Sequence, residues 1–385
     1  MRVLIAPDSF GGTLTAGQAA AAIVEGWRRW APRDDLLLCP LSDGSAGFVD
    51  VVSGAVGGQL VSITVPGPLG APTPATVVVV VDAARGGDGP GCAYVEAAQA
   101  CGLHLLDEAA RNPVAATSTG VGPLLKAALE AGARRIVVGL GGSASMDAGA
   151  GCLAALGAGD PATLASGGGA LADIPDDALA GLPEVRHRFA DVDLVVATEE
   201  TVPLLGFKGA AASFGVSKGA TAQQAQQLDR ALGRFAQVAL ATLGPETAPQ
   251  KLLATPGAGA DGGLGFALSL LGARLVPGAD AVLDAVAFSA RLAGCDLVVT
   301  GEGCFDWRSL RGGVVASVAQ RALAVGIPAV VLAGRVEVGR RETVAMGVES
   351  AYAVAERPQD VGATLADPAG TLAVRAERIA RTWSR

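Results

Sequence analysis

Four loops carry the residue types that phosphate and metal chemistry needs, and each follows a short apolar run. Asp8 follows VLIAP and Asp43 follows LLLCPL. The run GGSASMD, ending in Asp147, follows RIVVGL, and GEGCFD, with Glu302 and Asp306, follows DLVVT. Carboxylates offer hard oxygen ligands to Mg²⁺, and Glu302 and Asp306 have the spacing to hold one next to a phosphate. Glycine-rich turns ahead of a helix aim backbone amides at an anion. Gly139, Gly141, Gly142 and Ser143 form one such turn, and Gly120 and Gly122 in TSTGVG form another. Every one of these motifs also has a purely structural use. An aspartate after a strand caps a helix or closes a turn, and glycine permits a tight backbone. The repetition is what points to a site, because open α/β sheets gather ligands at the carboxyl ends of their strands.

Other chemistries find less support. GAGADG at 257–262 matches GxGxxG, but it follows Pro256 with no strand before it, so it is no dinucleotide fingerprint. The pair GK never occurs, which excludes a P-loop. Ser9, Ser143 and Ser145 have no histidine in view. The two histidines are His104, in the apolar CGLHLL, and His187, between arginines, so a Ser/His/Asp hydrolase is not supported. The six cysteines form no CxxC pair and read as reduced core thiols.

The loops need a scaffold, and the pattern supplies one. RVLIAP, DSFGGTLT and AGQAAAAIVEGWRRW read as strand, loop and helix, with Thr15 and Gln18 at capping-box spacing. DLLLCPL, SDGSAG and FVDVVSGA repeat the unit. LVSITV, PGPLGAPTP and ATVVVVV form a hairpin, and the switch near residue 64 marks a domain boundary. The middle continues with helix, strand, glycine loop and helix, then the strand DLVVAT and the amphipathic helix TAQQAQQLDRALGRFAQVALATLG. After residue 285 strands and helices alternate to the end. Such alternation implies a mostly parallel sheet covered on both faces.

With 385 residues, half of them hydrophobic and 17% charged, the chain buries a large core and splits into two domains. A net charge of −8 argues against nucleic acid or anionic lipid as partner. No apolar run approaches the roughly 18 residues of a membrane span. MRVLIAP breaks at Pro7 and Asp8, which suits a first strand in a cytoplasmic protein rather than a signal peptide. Small molecules are the expected partners.

The motifs, in order, resemble those of the type-1 (bacterial) glycerate kinase family. APDSFGGTLTAGQAAAAIVEG is similar to an opening APDSFKGTLTA, and PLSDGSAGF to PxADGGEGT. ARRIVVGLGGSASMDAGAG resembles GIGGSATNDGGAG, and PLLGFKGAAASFGVSKGAT resembles NPLLGxxGAAxVFGPQKGAT. PGAGADGGLGFAL and DLVVTGEGCFDWRSLRGG resemble PGAGAAGGLG and DLVITGEGxxDxQSxxGK. The resemblance covers essentially the whole chain. It implies a flavodoxin-like domain from residues 1–64 and 288–385, an inserted α/β domain from 65–287, and a cleft flanked by both. It also implies transfer of the γ-phosphoryl of ATP to D-glycerate with Mg²⁺, typically giving 2-phosphoglycerate. Asp8, Ser9, Asp43 and Asp147 would then lie near the acceptor hydroxyl or its metal. Glu302 and Asp306 would lie near Mg²⁺, and loops 119–122 and 139–143 with Gly301 and Gly303 near the nucleotide.

Several polar tips depart from the pattern. Gly11 and Gly313 replace lysines, Ala46 replaces a glutamate, Met146 and Val202 replace asparagines, and Arg308 replaces a glutamine. Phosphoryl transfer depends on such groups to offset developing charge. A second reading therefore stands beside the kinase: a catalytically silent or substrate-switched homologue that binds a nucleotide or a small hydroxy acid.

Overall fold

The computed structural model describes residues 1–81, 91–245 and 249–384. In chain order the strands are β1 (Arg2–Pro7), β2 (Asp35–Leu38), β3 (Gln59–Pro66), β4 (Pro72–Val80), β5 (Gly91–Glu96), β6 (Ala133–Gly139) and β7 (Asp193–Ala197). They continue with β8 (Arg274–Val276), β9 (Leu297–Gly301), β10 (Cys304–Phe305), β11 (Ala329–Ala333), β12 (Arg335–Val336) and β13 (Val348–Ala353). Two compact units form. One comprises Met1–Asp43, Asp50–Val56 and Pro277–Arg385; the other comprises Gly44–Val49 and Gly57–Val276.

The first unit holds a five-stranded, all-parallel sheet in the order β13-β11-β9-β1-β2. Counted within the unit this is 2-1-3-4-5, the flavodoxin-like order. Val3 and Ile5 face one side and Leu4 the other, and all are fully buried, so β1 is covered on both faces. The helices Ala16–Trp30 and Pro368–Trp383 cover the first side through Ile23, Trp27, Leu372 and Ile379. The helix Gly313–Ala324 packs on β1, β9 and β11. The capping box read at Thr15 and Gln18 is present, each side chain accepting from the other's backbone amide.

The second unit holds a six-stranded sheet, β3-β4-β5-β6-β7-β8. Its first two pairings are antiparallel and the rest parallel. β3 pairs with β4 along its whole length, Gln59 opposite Val79 through Pro66 opposite Pro72. Residues 59–64, which the sequence reading assigned to the first domain, thus belong with the second, because a hairpin cannot be divided without exposing its ladder. At the far side the change of unit falls at Pro277, not near 287. No helix among the described residues is long and apolar enough to cross a membrane.

Candidate active site

The reversal of strand order in the first unit lies between β1 and β9. At such a point the loops leaving two adjacent parallel strands diverge and open a crevice at their carboxyl ends. Asp8 and Ser9 follow β1, and Glu302 follows β9. The Asp8 amide donates to the Gly301 carbonyl at 2.8 Å, and the Leu41 amide to the Pro7 carbonyl at 2.9 Å. These bonds set the loops of Asp8, Glu302 and Asp43 side by side. Ser9 lies in the same pocket as Asp8 and donates its amide to Asp8 Oδ1 at 2.6 Å.

Three carboxylates at one strand-end cluster crowd one another. Burial, then Asp43 and Glu302, hold Asp8 well above the ordinary carboxylate range. Burial, with Asp306 and Asp43 adding to it, pushes Glu302 up to about 7 against the pull of Ser309 and Arg308. Glu302 Oε1 is buried and has no hydrogen-bond partner. An unsatisfied carboxylate oxygen among other acids is a chemical fit for a hard divalent cation.

Asp306 stands differently. Its carboxylate accepts from Arg308 through Nε at 3.0 Å, Nη2 at 2.7 Å and the backbone amide at 2.7 Å. Those bonds hold it below the usual range. The sequence reading made Asp306 a metal ligand beside Glu302; its charge is instead matched by the arginine that replaces the family's glutamine. Cys304, Asp306 and Glu337 bring ligand atoms within 4.8 Å of one another, but Glu337 is likewise paired, with Arg335 at 3.0 Å.

The pH dependence of stability follows. The folded cluster holds protons that the unfolded chain has released, so its stability is present at low pH and is lost as pH rises through about 7 for Glu302. Melting temperature should fall across about pH 5 to 8, and Glu302→Gln should flatten the slope. Equal slopes for the variant and the parent would contradict the crowding.

In the second unit the structure corrects three expectations. Asp147 is fully buried. It accepts from Ser118 N at 2.8 Å and Ser118 Oγ at 2.9 Å, and from Thr117 Oγ1, Gly149 N and Gly151 N at 3.2, 3.1 and 3.2 Å. It therefore occupies the N-terminus of the helix Ala150–Leu156 as that helix's own anion, its carboxylate committed to the backbone and hydroxyls around it. The 139–143 loop is not an open cradle either. Its Gly141 and Ser143 amides donate to buried Asp261, at 3.0 and 3.1 Å. Gly139 and Gly141 lie against Phe48 and Ser45, where a Cβ would collide, while Gly142 is exposed with positive φ. Gly120 and Gly122 let the start of the helix Val121–Glu130 pack against Pro66 and against Cys152 and Ala155. In the first unit Gly301 lies against Leu332 for the same reason, and Gly303 meets the Gly11 backbone at the pocket wall.

Two residues absent from the sequence reading organise this region. Asp261 has φ +50 and donates its amide to Glu200 Oε2 at 3.0 Å. Lys218, 5% exposed, donates to Ser143 Oγ at 2.8 Å and the Ser145 carbonyl at 2.9 Å. The signals were there: Lys218 is one of only four lysines, and Asp261 is flanked by GAGA and GG.

Comparison with known proteins agrees with this architecture. The sequence model of the Glycerate kinase family matches residues 3–384. The chain is 38% identical over 359 residues to the glycerate kinase of Bacillus subtilis, covering 92% of this chain and 90% of that protein. It is 36% identical over 340 residues to the glycerate 2-kinase of Escherichia coli, covering 87% and 85%. A crystal structure from Salmonella typhimurium LT2 that carries the glycerate kinase 2 name superposes with a TM-score of 0.77 at 34% identity, over 99% of this chain and 98% of that one. With its flavodoxin-like strand order and a carboxylate cluster at the switch point, the chain belongs to the glycerate kinase family of phosphotransferases.

Proposed function

We propose that this protein transfers the γ-phosphoryl group of Mg-ATP to a hydroxyl of D-glycerate, giving 2-phosphoglycerate, at the carboxyl ends of β1 and β9. The observation that carries the reading is the cluster of Asp8, Asp43 and Glu302, in which Glu302 keeps a buried, unpartnered oxygen. Glu302, with Asp43 beside it, would hold the metal, which supplies charge neutralisation to the donor phosphates. Asp8 takes the proton of the acceptor hydroxyl. Its raised affinity for protons brings it closer to the operating pH than an ordinary aspartate, which is what a general base requires. The freed oxygen attacks the γ-phosphorus, the bond to the β–γ bridging oxygen breaks, and ADP leaves. Small molecules are its partners, and the cytoplasm, which holds ATP, is its place of action.

A coupled ADP-release assay over a panel of short hydroxy acids tests this. Release that depends on D-glycerate is expected. No release with any acid, or release with another acid and none with glycerate, overturns it.

Specific observations favour the second reading, a silent or substrate-switched homologue. Where the family pattern has lysines, Gly11 and Gly313 have φ of +54° and +83° and open space beyond their Cβ positions. Turnover on glycerate should accordingly fall below the roughly 1–100 s⁻¹ usual for kinases. Gly11→Lys should raise it, at a folding cost of about 1 kcal/mol for a side chain at positive φ. A folded Gly11→Lys no faster than the parent would show that the missing cation does not limit the rate.

A further inference from the structure

The two large sheets end in four edge strands, β2, β13, β3 and β8. An edge presents a row of unpaired N–H and C=O groups that can take a further strand, and folded chains blunt it with brevity, charge or a bulge. Three of the four edges here are blunted. β2 has four residues and opens on Asp35, paired with Arg2 at 3.3 Å. β8 has three and opens on Arg274, paired with Asp193 at 3.1 Å. β13 carries exposed Glu349 in a bulge, where the register steps from Val348 opposite Ala329 to Ser350 opposite Val330.

β3 has none of these devices. It is the longest of the four, with eight residues, and its ladder to β4 runs from Gln59 opposite Val79 to Pro66 opposite Pro72 without a break in register. Its one proline is its last residue. No Asp, Glu, Lys, Arg or His occurs from Gln59 to Val80, in a chain of which 17% is charged. Leu60, Ser62 and Thr64 alternate along one face and are exposed, Leu60 by 58%. Val61 and Ile63, on the other face, pack against the core. That face and the β4 side are thus satisfied inside the protein. Among the described residues no strand pairs with the other side of β3.

We infer that β3 is the interface for a second copy of this chain, pairing antiparallel with its own counterpart across a two-fold axis and joining two six-stranded sheets into one. Two features choose this occupant. Antiparallel pairing is symmetric about a two-fold axis, so an identical strand offers each backbone donor a matching acceptor, and one patch serves on both sides. The second feature is charge. Two copies that each carry −8 repel, and a stretch with no charged residue is where they approach without like charges meeting. A partner recognised through a charged surface would find nothing to pair with on this hairpin. Across the axis Leu60, Ser62 and Thr64 meet side chains of the same kinds, and cross-strand pairs of apolar and hydroxyl side chains stabilise neighbouring strands.

Sedimentation equilibrium of the full-length protein at micromolar concentration should give twice the chain mass of 38.0 kDa. Leu60→Lys combined with Thr64→Lys sets like charges on both copies at exposed positions. It should weaken the dimer about a hundredfold or more, while far-UV circular dichroism stays that of the parent. Ser62→Cys treated with a short bis-maleimide should yield a covalent dimer well above that of the parent, whose half-buried Cys92 and Cys304 set the background. The cross-link reads the contact directly and decides the matter if the lysine variant does not fold. A parent of single chain mass overturns the inference. So does a folded lysine variant that dimerises as the parent does, or a Ser62→Cys protein that cross-links no more than the parent.

Discussion

Asp8→Asn should lower kcat for glycerate phosphorylation by about 10²- to 10⁴-fold, the usual contribution of a positioned general base. The variant should nonetheless be at least as stable as the parent. Asparagine keeps an oxygen in the position where Asp8 Oδ1 accepts the Ser9 amide. It removes a charge that burial and the neighbouring Asp43 and Glu302 disfavour. Loss of activity with unchanged or increased melting temperature marks a residue whose environment is tuned for chemistry at the expense of stability. The paired measurement is steady-state ADP release and thermal unfolding near neutral pH. Activity within about threefold of the parent would remove Asp8 from the mechanism.

Asp147→Ala should do the reverse, with unfolding as its primary effect. The substitution deletes the acceptor for three backbone amides, at Ser118, Gly149 and Gly151, and for the hydroxyls of Thr117 and Ser118, all of them in buried residues. Each buried donor left unmade costs about 1–3 kcal/mol. The total should reach on the order of 4 kcal/mol or more, at the far end of what single substitutions do. Denaturant unfolding of the variant reads it out. A loss below about 1 kcal/mol would show that Asp147 does not anchor the loops it touches. In Asp147→Asn an oxygen remains for some of these amides while the new Nδ2 faces others, so its cost should lie between parent and alanine.

The contrast between these two aspartates shows where sequence reading stopped. Both follow an apolar run that forms a strand, β1 and β6, and both precede a glycine-containing turn and a helix. Nothing local separates them. Asp8 stands at the switch point of its sheet, beside two other acids and an open pocket. Asp147 is enclosed by Ser118, which is 29 residues away in sequence. Burial and pairing are properties of non-local contacts, and they decide whether a carboxylate acts on a ligand or on its own backbone.

The same division runs through the fold. Strands with continuous apolar character, such as VLIAP and DLVVT, and the Thr15–Gln18 capping box were legible because a short stretch of chain contains their whole cause: hydrophobic period and local hydrogen bonding. The family was legible because its motifs recur in order. β13 was not, since VESAYA is a half-buried edge strand with neither alternation nor a sustained apolar run. Gly139 and Gly141 looked like a phosphate cradle because the sequence shows where amides are free of side chains. It does not show that Asp261, 120 residues from Gly141, supplies the carboxylate that accepts from the Gly141 and Ser143 amides. Local sequence determined which elements form and which loops carry polar groups. Tertiary structure alone decided which of those groups remain unsatisfied, and an unsatisfied polar group at a strand end is what a ligand can use.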